Sequence, residues 1–309
     1  MRVLFYGTPA FALPTLRALL ARHHVVAVVT QPDRPAGRGQ RAQASPVNAA
    51  AIEQGIPVLQ PARVRDAGWP ERFAEHAPDV AVVVAFGQIL PPAVLDVPAR
   101  GSINVHASLL PRYRGAAPVA WAIIRGERET GITTFRMDAG MDTGPMLLQR
   151  KTPIGPDETA GELAERLAAL GADVLLETLD RLETLTPRPQ DSGAATLAPR
   201  LRKEDGLLDW AESATSLAAR VRGLNPRPGA VTPAPGGRLL IWRARALAGR
   251  GEPGVLAGAA GQLAIGTGEG LLLPVEVQPE NRRAMAWADY LRGSRLGPGA
   301  VLGAPAPRR

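Results

Sequence analysis

The chain has 309 residues, of which 45% are hydrophobic, no cysteine, and a formal net charge of +7. That length exceeds what one core usually organises, and the lack of thiols excludes a disulfide framework, a thiolate metal site and a cysteine nucleophile. The charge sits in the C-terminal part: residues 1–205 carry 23 basic and 22 acidic groups, residues 206–309 carry 13 and 7. A polyanionic partner or a solvated arginine-rich surface would account for it about equally well.

The chain opens MRVLFYGTPAFA, where Gly7 and Pro9 interrupt the apolar run too early for a secretory core or a membrane span. The expected location is the cytoplasm. Arg2–Tyr6 reads as a strand, Thr8 and Pro9 as the cap and first position of a helix, and Phe11–Ala21 as that helix. A strand Val25–Val29, a helix Val47–Gln54, a short strand Pro57–Leu59 and a helix Asp66–His76 follow. The unbroken apolar run Val80–Ala85 predicts a strand buried on both faces. Next come a strand Ser102–Val105 and a helix Pro118–Arg125. This alternation predicts an α/β domain with a doubly wound, mostly parallel sheet, whose ligands collect beyond the carboxyl ends of the strands.

A long helical pattern spans Thr159–Leu185, and the Pro/Gly/Ser-rich segment Pro187–Arg200 reads as linker. The expected organisation is therefore a first domain over 1–186, a linker over 187–205 and a second domain over 206–309 with a disordered tail from about 297. Within the second domain a helix Ser213–Arg222 precedes short strands at Ala230–Thr232, Arg238–Ala246, Gly254–Leu256, Gln262–Gly266 and Leu271–Val277, the pattern of a small β domain. Trp210, Trp242 and Trp287 are read as core residues before base-stacking platforms.

Chemistry concentrates in two runs. In GSINVHASLLPRYRG, Gly101–Gly115, Asn104 and His106 lie two apart on a strand and share a face. A side-chain amide can donate to a developing oxyanion, and a neutral imidazole can accept a proton from an attacking group. In GITTFRMDAGMDTG, Gly131–Gly144, an alternating strand opens into a loop that offers Asp138 and Asp142, either of which can support the imidazole. Gly7 stands alone where a dinucleotide site needs three glycines, and His23, His24 and His76 match no metal-ligand spacing, so neither a nicotinamide cofactor nor a metal is expected.

Asn104-Val-His106, then Ser108-Leu-Leu-Pro111, then Asp138-x-Gly140-x-Asp142-x-Gly144, in this order and spacing, resemble the formyltransferases that use 10-formyltetrahydrofolate. The resemblance implies a Rossmann-like catalytic domain followed by a β-barrel of oligonucleotide-binding (OB) type. It also implies Asn104, His106 and Asp142 as catalytic residues, and 10-formyltetrahydrofolate as formyl donor. The donor would be held by Phe86, Gly87, Ile89 and Leu90, by Ser108, Leu109, Leu110 and Pro111, and by Asp138. The basic loop Gln31–Arg41, with Arg34, Arg38 and Arg41, together with the extra C-terminal domain, favours the branch of that family whose acceptor is initiator methionyl-tRNA, and a monomer suffices for that activity. A sugar-nucleotide formyltransferase and a non-catalytic tRNA-binding protein are the competing classes. Arg112 and Arg114 flank Tyr113 without a role that the sequence can choose.

Overall fold

A computed structural model describes residues 1–36, 41–259 and 261–303 and divides them into two units. The first comprises residues 1–118, 129–153 and 164–199; the second comprises 119–128, 154–163 and 200–309, so far as these are described.

The first unit is built on seven strands of one sheet: β1 (Arg2–Gly7), β2 (His24–Val29), β5 (Val58–Leu59), β6 (Val80–Val84), β7 (Ser102–His106), β8 (Glu129–Arg136) and β9 (Met146–Pro153). Two further strands, β3 (Arg34–Ala36) and β4 (Arg41–Gln43), pair with each other outside it. The sheet order is β5-β2-β1-β6-β7-β8-β9, parallel through β7 and antiparallel at β8 and β9. The all-apolar runs of β1, β2 and β6 are buried on both faces, as central parallel strands require. Strand order reverses between β1 and β6, which opens the crevice beyond their carboxyl ends. Helices α1 (Leu13–Arg22), α2 (Pro46–Glu53), α3 (Trp69–Ala74) and α4 (Pro92–Leu95) connect the parallel strands.

Local chemistry corrects several boundaries. Thr8 caps no helix. Its hydroxyl donates to the Phe86 carbonyl (3.0 Å) and accepts from the Gln31 amide (3.3 Å), and these tertiary partners displace the local cap. The helix starts only at Leu13, after a 3₁₀ turn at Ala10–Ala12. Ser45, by contrast, caps α2 by accepting from the Asn48 amide (3.1 Å). The predicted helix Asp66–His76 shrinks to α3 because Gly68, at φ +87°, breaks the helical backbone before Trp69. Strand β9 has no counterpart in the sequence reading. Its exposed Arg150 and Lys151 and terminal Pro153 suit an edge strand, where paired apolar alternation is weak.

Helix α6 (Ala160–Asp180) begins in a reciprocal capping box. The Thr159 hydroxyl accepts from the Glu162 amide (3.3 Å) while the Glu162 carboxylate accepts from the Thr159 amide (2.8 Å). Farther along, the helix covers one face of β7 and β8. A Cβ on Gly171 would stand 3.0 Å from Val105 Cγ1, and the hydroxyls of Thr134 and Thr178 meet at 2.7 Å. Ile103 and Val105 are buried, each stabilising the domain by roughly 1.5–3 kcal/mol. With Val105 turned to α6, the period of two turns Asn104 and His106 to the opposite face.

The expected linker is not a free connection. Arg188 exchanges two backbone hydrogen bonds with Met146 (2.8 Å each), and Arg114 and Ala198 pair at 2.7 Å. Residues 187–199 thus belong to the first unit.

The second unit holds α5 (Pro118–Ile124) except for its first residue, α7 (Ala214–Gly223) and α8 (Trp287–Ser294) with six antiparallel strands. These are β10 (Ala230–Ala234), β11 (Gly237–Leu247), β12 (Leu256–Ala259), β13 (Gln262–Gly266), β14 (Leu271–Pro279) and β15 (Met285–Ala286). Their order is β10-β11-β14-β13-β12, with β15 added to β14. The helix α8 is absent from the sequence reading. Trp210 and Trp287 are core residues whose indole N–H groups donate to Thr232 Oγ1 (3.2 Å) and the Leu263 carbonyl (2.7 Å). Trp242 is half-buried and donates to Gln278 Oε1 (3.0 Å).

Candidate active site

Strand β7 delivers Asn104 and His106 to the carboxyl end of the sheet, and the loop after β8 brings Asp142 to His106. The imidazole is 6% exposed. Its Nε2 lies 2.9 Å from the Tyr113 carbonyl oxygen. A carbonyl only accepts, so Nε2 carries the hydrogen, and in the neutral ring the lone pair is on Nδ1. Asp142 Oδ2 stands 3.7 Å from that Nδ1, with its side chain 16% exposed. At this separation the carboxylate does not hydrogen-bond the neutral ring, which the Tyr113 carbonyl already orients. Asp142 itself is held by the Gly115 amide, which donates to Oδ2 (2.8 Å), and its backbone is left-handed at φ +56°.

Asn104 is half-buried and its backbone pairs with Val83 and Phe135. Among the described residues its side-chain amide has no hydrogen-bond partner, so both N–H groups remain available to an oxyanion. Asp138 does not reach the imidazole. Its Oδ1 accepts from the Gly140 amide (3.1 Å) and the Thr143 hydroxyl (2.7 Å), holding the loop that presents Asp142.

The Ser108–Pro111 run is fixed from below. Ser108 is fully buried and donates to the Arg112 carbonyl (2.6 Å), Thr133 donates to the Ser108 carbonyl (2.6 Å), and Gln149 donates to the Leu110 carbonyl (2.7 Å). The Ser108 hydroxyl therefore shapes the loop, while Leu109 and Pro111 are half-buried and Leu110 is buried.

On the loop after β6, Phe86 and Leu90 pack into the core, where Phe86 meets Tyr6 edge-on with ring centroids 5.3 Å apart. Gly87 is exposed at φ +88°, and Ile89 is 78% exposed, as is 54% of Met141 on the Asp142 loop. Burial also pushes the Tyr6 hydroxyl far above the ordinary tyrosine range, so this phenol stays neutral beneath the loop.

Of the three arginines on the basic loop, Arg34 and Arg41 fall on β3 and β4, and Arg38 lies outside the described residues. The base of the loop is tied by Asp33, whose Oδ1 accepts from Asn48 and Gln60 (2.8 Å each).

The sequence reading misses three contributors: the Tyr113 carbonyl, the Gly115 amide and Gln190. Backbone groups leave no mark on a sequence. Gln190 sits in a Pro-rich stretch whose lost periodicity hides its role. Arg114, left open by the sequence, is buried and donates from Nε (3.1 Å) and Nη2 (2.8 Å) to Gln190 Oε1; Arg112 is exposed, with its guanidinium 5.3 Å from the centre of the Tyr113 ring.

Residues 1–179 match the formyl transferase family model, and residues 200–295 match that of the formyl transferase C-terminal domain. A methionyl-tRNA formyltransferase of Thermus thermophilus is 51% identical over 304 residues, covering 98% of this chain and 99% of its own. One from Citrifermentans bemidjiense is 50% identical over 307 residues, covering 98% and 96%. Among solved structures, HypX from Aquifex aeolicus in complex with tetrahydrofolic acid shares the fold with a TM-score of 0.62 at 20% identity, over 94% of this chain and 47% of that one. The chain belongs to the formyl transferase family and carries both its N-terminal and its C-terminal domain.

Proposed function

We propose that this formyl transferase moves the formyl group of 10-formyltetrahydrofolate to the free amino group of methionyl-initiator tRNA, giving N-formylmethionyl-tRNA. The reading is carried by about half identity to methionyl-tRNA formyltransferases over nearly the full length of both chains. The basic balance of residues 206–309 agrees with a polyanionic acceptor.

Esterification lowers the pKa of the methionine amine below the free α-amino range of roughly 7.7–8.0, which leaves much of it neutral and nucleophilic near pH 7. Its nitrogen attacks the formyl carbon. The Asn104 amide donates to the oxyanion that forms, and His106 Nδ1 accepts the proton released by the nitrogen. Asp142 stabilises the resulting imidazolium. Collapse of the tetrahedral species breaks the bond from carbon to N10 of the folate, and the imidazolium returns its proton to that nitrogen. The donor brings the activated one-carbon unit, so the protein's part is positioning and polarisation.

In this reading the exposed Gly87 and Ile89, with Phe86 and Leu90 beneath them, meet the pterin, and Ser108, Leu109, Leu110, Pro111 and Asp138 complete the donor site. Arg34, Arg38 and Arg41 are assigned to the acceptor end of the tRNA. Affinity for the tRNA is assigned to residues 206–309.

The test is single-turnover formylation of charged initiator tRNA. His106→Ala is expected to slow transfer by about 10²–10⁴ and Asn104→Ala by about 10²–10³, with tRNA binding retained in both. Folded, folate-binding wild-type protein that transfers nothing to methionyl-tRNA would overturn the reading in favour of a smaller amine acceptor.

A further inference from the structure

The Tyr113 carbonyl and the Asp142 carboxylate, two polar groups beside the His106 ring, are both held from one short stretch, residues 190–198. The Gln190 side-chain amide donates from Nε2 to two carbonyl oxygens of the Asp142 loop, that of Asp142 itself (2.9 Å) and that of Gly144 (2.8 Å). Its Oε1 accepts both Arg114 bonds. This assignment of nitrogen and oxygen is forced: turned over, the amide would set its oxygen against two carbonyls and its N–H groups against a guanidinium. Six residues on, the Thr196 hydroxyl accepts from the Tyr113 amide (2.9 Å) and its carbonyl accepts from the Arg114 amide (2.8 Å). Tyr113 supplies the carbonyl that orients the imidazole, and Asp142 supplies the charge beside it.

We propose that Gln190 is a positioning residue for formyl transfer: it fixes the Asp142 loop at the distance from His106 that proton uptake needs, and Arg114 fixes Gln190. The inference rests on the catalytic roles given above to His106 and Asp142. The physical case is the left-handed backbone of Asp142. A non-glycine residue at φ +56° is held there by its surroundings: from outside this loop the Gly115 amide holds the carboxylate, and the pair of hydrogen bonds from Gln190 holds the backbone that carries it. Without them the carboxylate can drift from Nδ1, where a displacement of about 1 Å is enough to cost catalysis. Tyr113, at φ +62°, is gripped in the same way by Thr196.

Three variants test it: Gln190→Ala, Gln190→Glu, and Gln190→Ala combined with Asp142→Asn. Glutamate keeps an acceptor for Arg114 but turns an oxygen toward the two carbonyls, so a need for the amide donor predicts that it fails like alanine. Both single variants should lose roughly 10–100-fold in kcat, the range that a misplacement of up to about 1 Å can cost, with KM for folate and for methionyl-tRNA within about twofold of wild type. The double variant should be little slower than Asp142→Asn alone, because Gln190 acts through Asp142; a merely structural residue would multiply its loss onto that of Asp142→Asn. Wild-type kcat in Gln190→Glu, a loss confined to KM, or multiplicative losses in the double variant each overturn the inference. Wild-type protein that formylates methionyl-tRNA while the Gln190 variants match it sinks this inference alone; wild-type protein that does not formylate it sinks the functional reading and this inference together.

Discussion

Asp142→Asn isolates the carboxylate's charge with little disturbance of shape. Asparagine keeps an acceptor for the Gly115 amide and tolerates the left-handed backbone that this position adopts. What it removes is the field at His106 Nδ1. For full unit charges 3.7 Å apart at an effective dielectric constant near 20, Coulomb's law gives about 4 kcal/mol. A transition state with the proton half transferred feels about half of that, so the barrier rises by about 2 kcal/mol, roughly 30-fold in rate. Complete transfer sets the upper limit near 10³. The assay is single-turnover formylation with saturating folate donor and methionyl-tRNA, beside equilibrium binding of each. The expected result is a loss of about 30- to 1,000-fold with affinities unchanged. A rate within about threefold of wild type would refute the electrostatic role. A loss of about 10⁴ or more would refute it from the other side, since losses of that size arise where the carboxylate fixes the tautomer, and here the Tyr113 carbonyl does so.

Two further expectations concern the scaffold. The Glu162 carboxyl is lowered from its ordinary 4.5 to about 2, first by the Thr159 backbone N–H, then by Arg243 and the Thr159 hydroxyl. Because the folded value is depressed, its contribution to stability is complete above about pH 4.5 and lost as pH falls toward 2. Glu162→Gln should therefore be the less stable protein at pH 7, with its deficit in unfolding midpoint shrinking across that acid range; a deficit unchanged from pH 6 to pH 3 would count against the capping box. In Gly144→Ala the new methyl would lie 1.9 Å from the Arg136 carbonyl oxygen, a backbone atom that cannot swing away. We expect a loss of about 3 kcal/mol in denaturant unfolding and a slower transfer step, since Gln190 grips the Gly144 carbonyl; an unchanged midpoint would show that the loop can yield.

The central parallel strands and the pairing of Asn104 with His106 were legible because they follow from local periodicity: an unbroken apolar run such as Val80–Val84 between turn signals suits a central strand, and a spacing of two places residues on one face. The order of Ser108–Pro111 and Asp138–Gly144 carried the family resemblance for the same reason, being contiguous in sequence. Thr8 reads as a cap, yet bonds across three strand ends; residues 187–199 read as linker, yet belong to the first unit.

The amino-acid sequence by itself thus determined which chemical groups the proposed site offers: an amide, an imidazole and a carboxylate, with the turns that present them. Only the tertiary structure decided which imidazole nitrogen is free, because that depends on the Tyr113 carbonyl, a group every residue possesses. It also decided what holds Asp142 in place, because Gln190 lies 48 positions away and is joined to it through backbone oxygens that no side-chain pattern encodes.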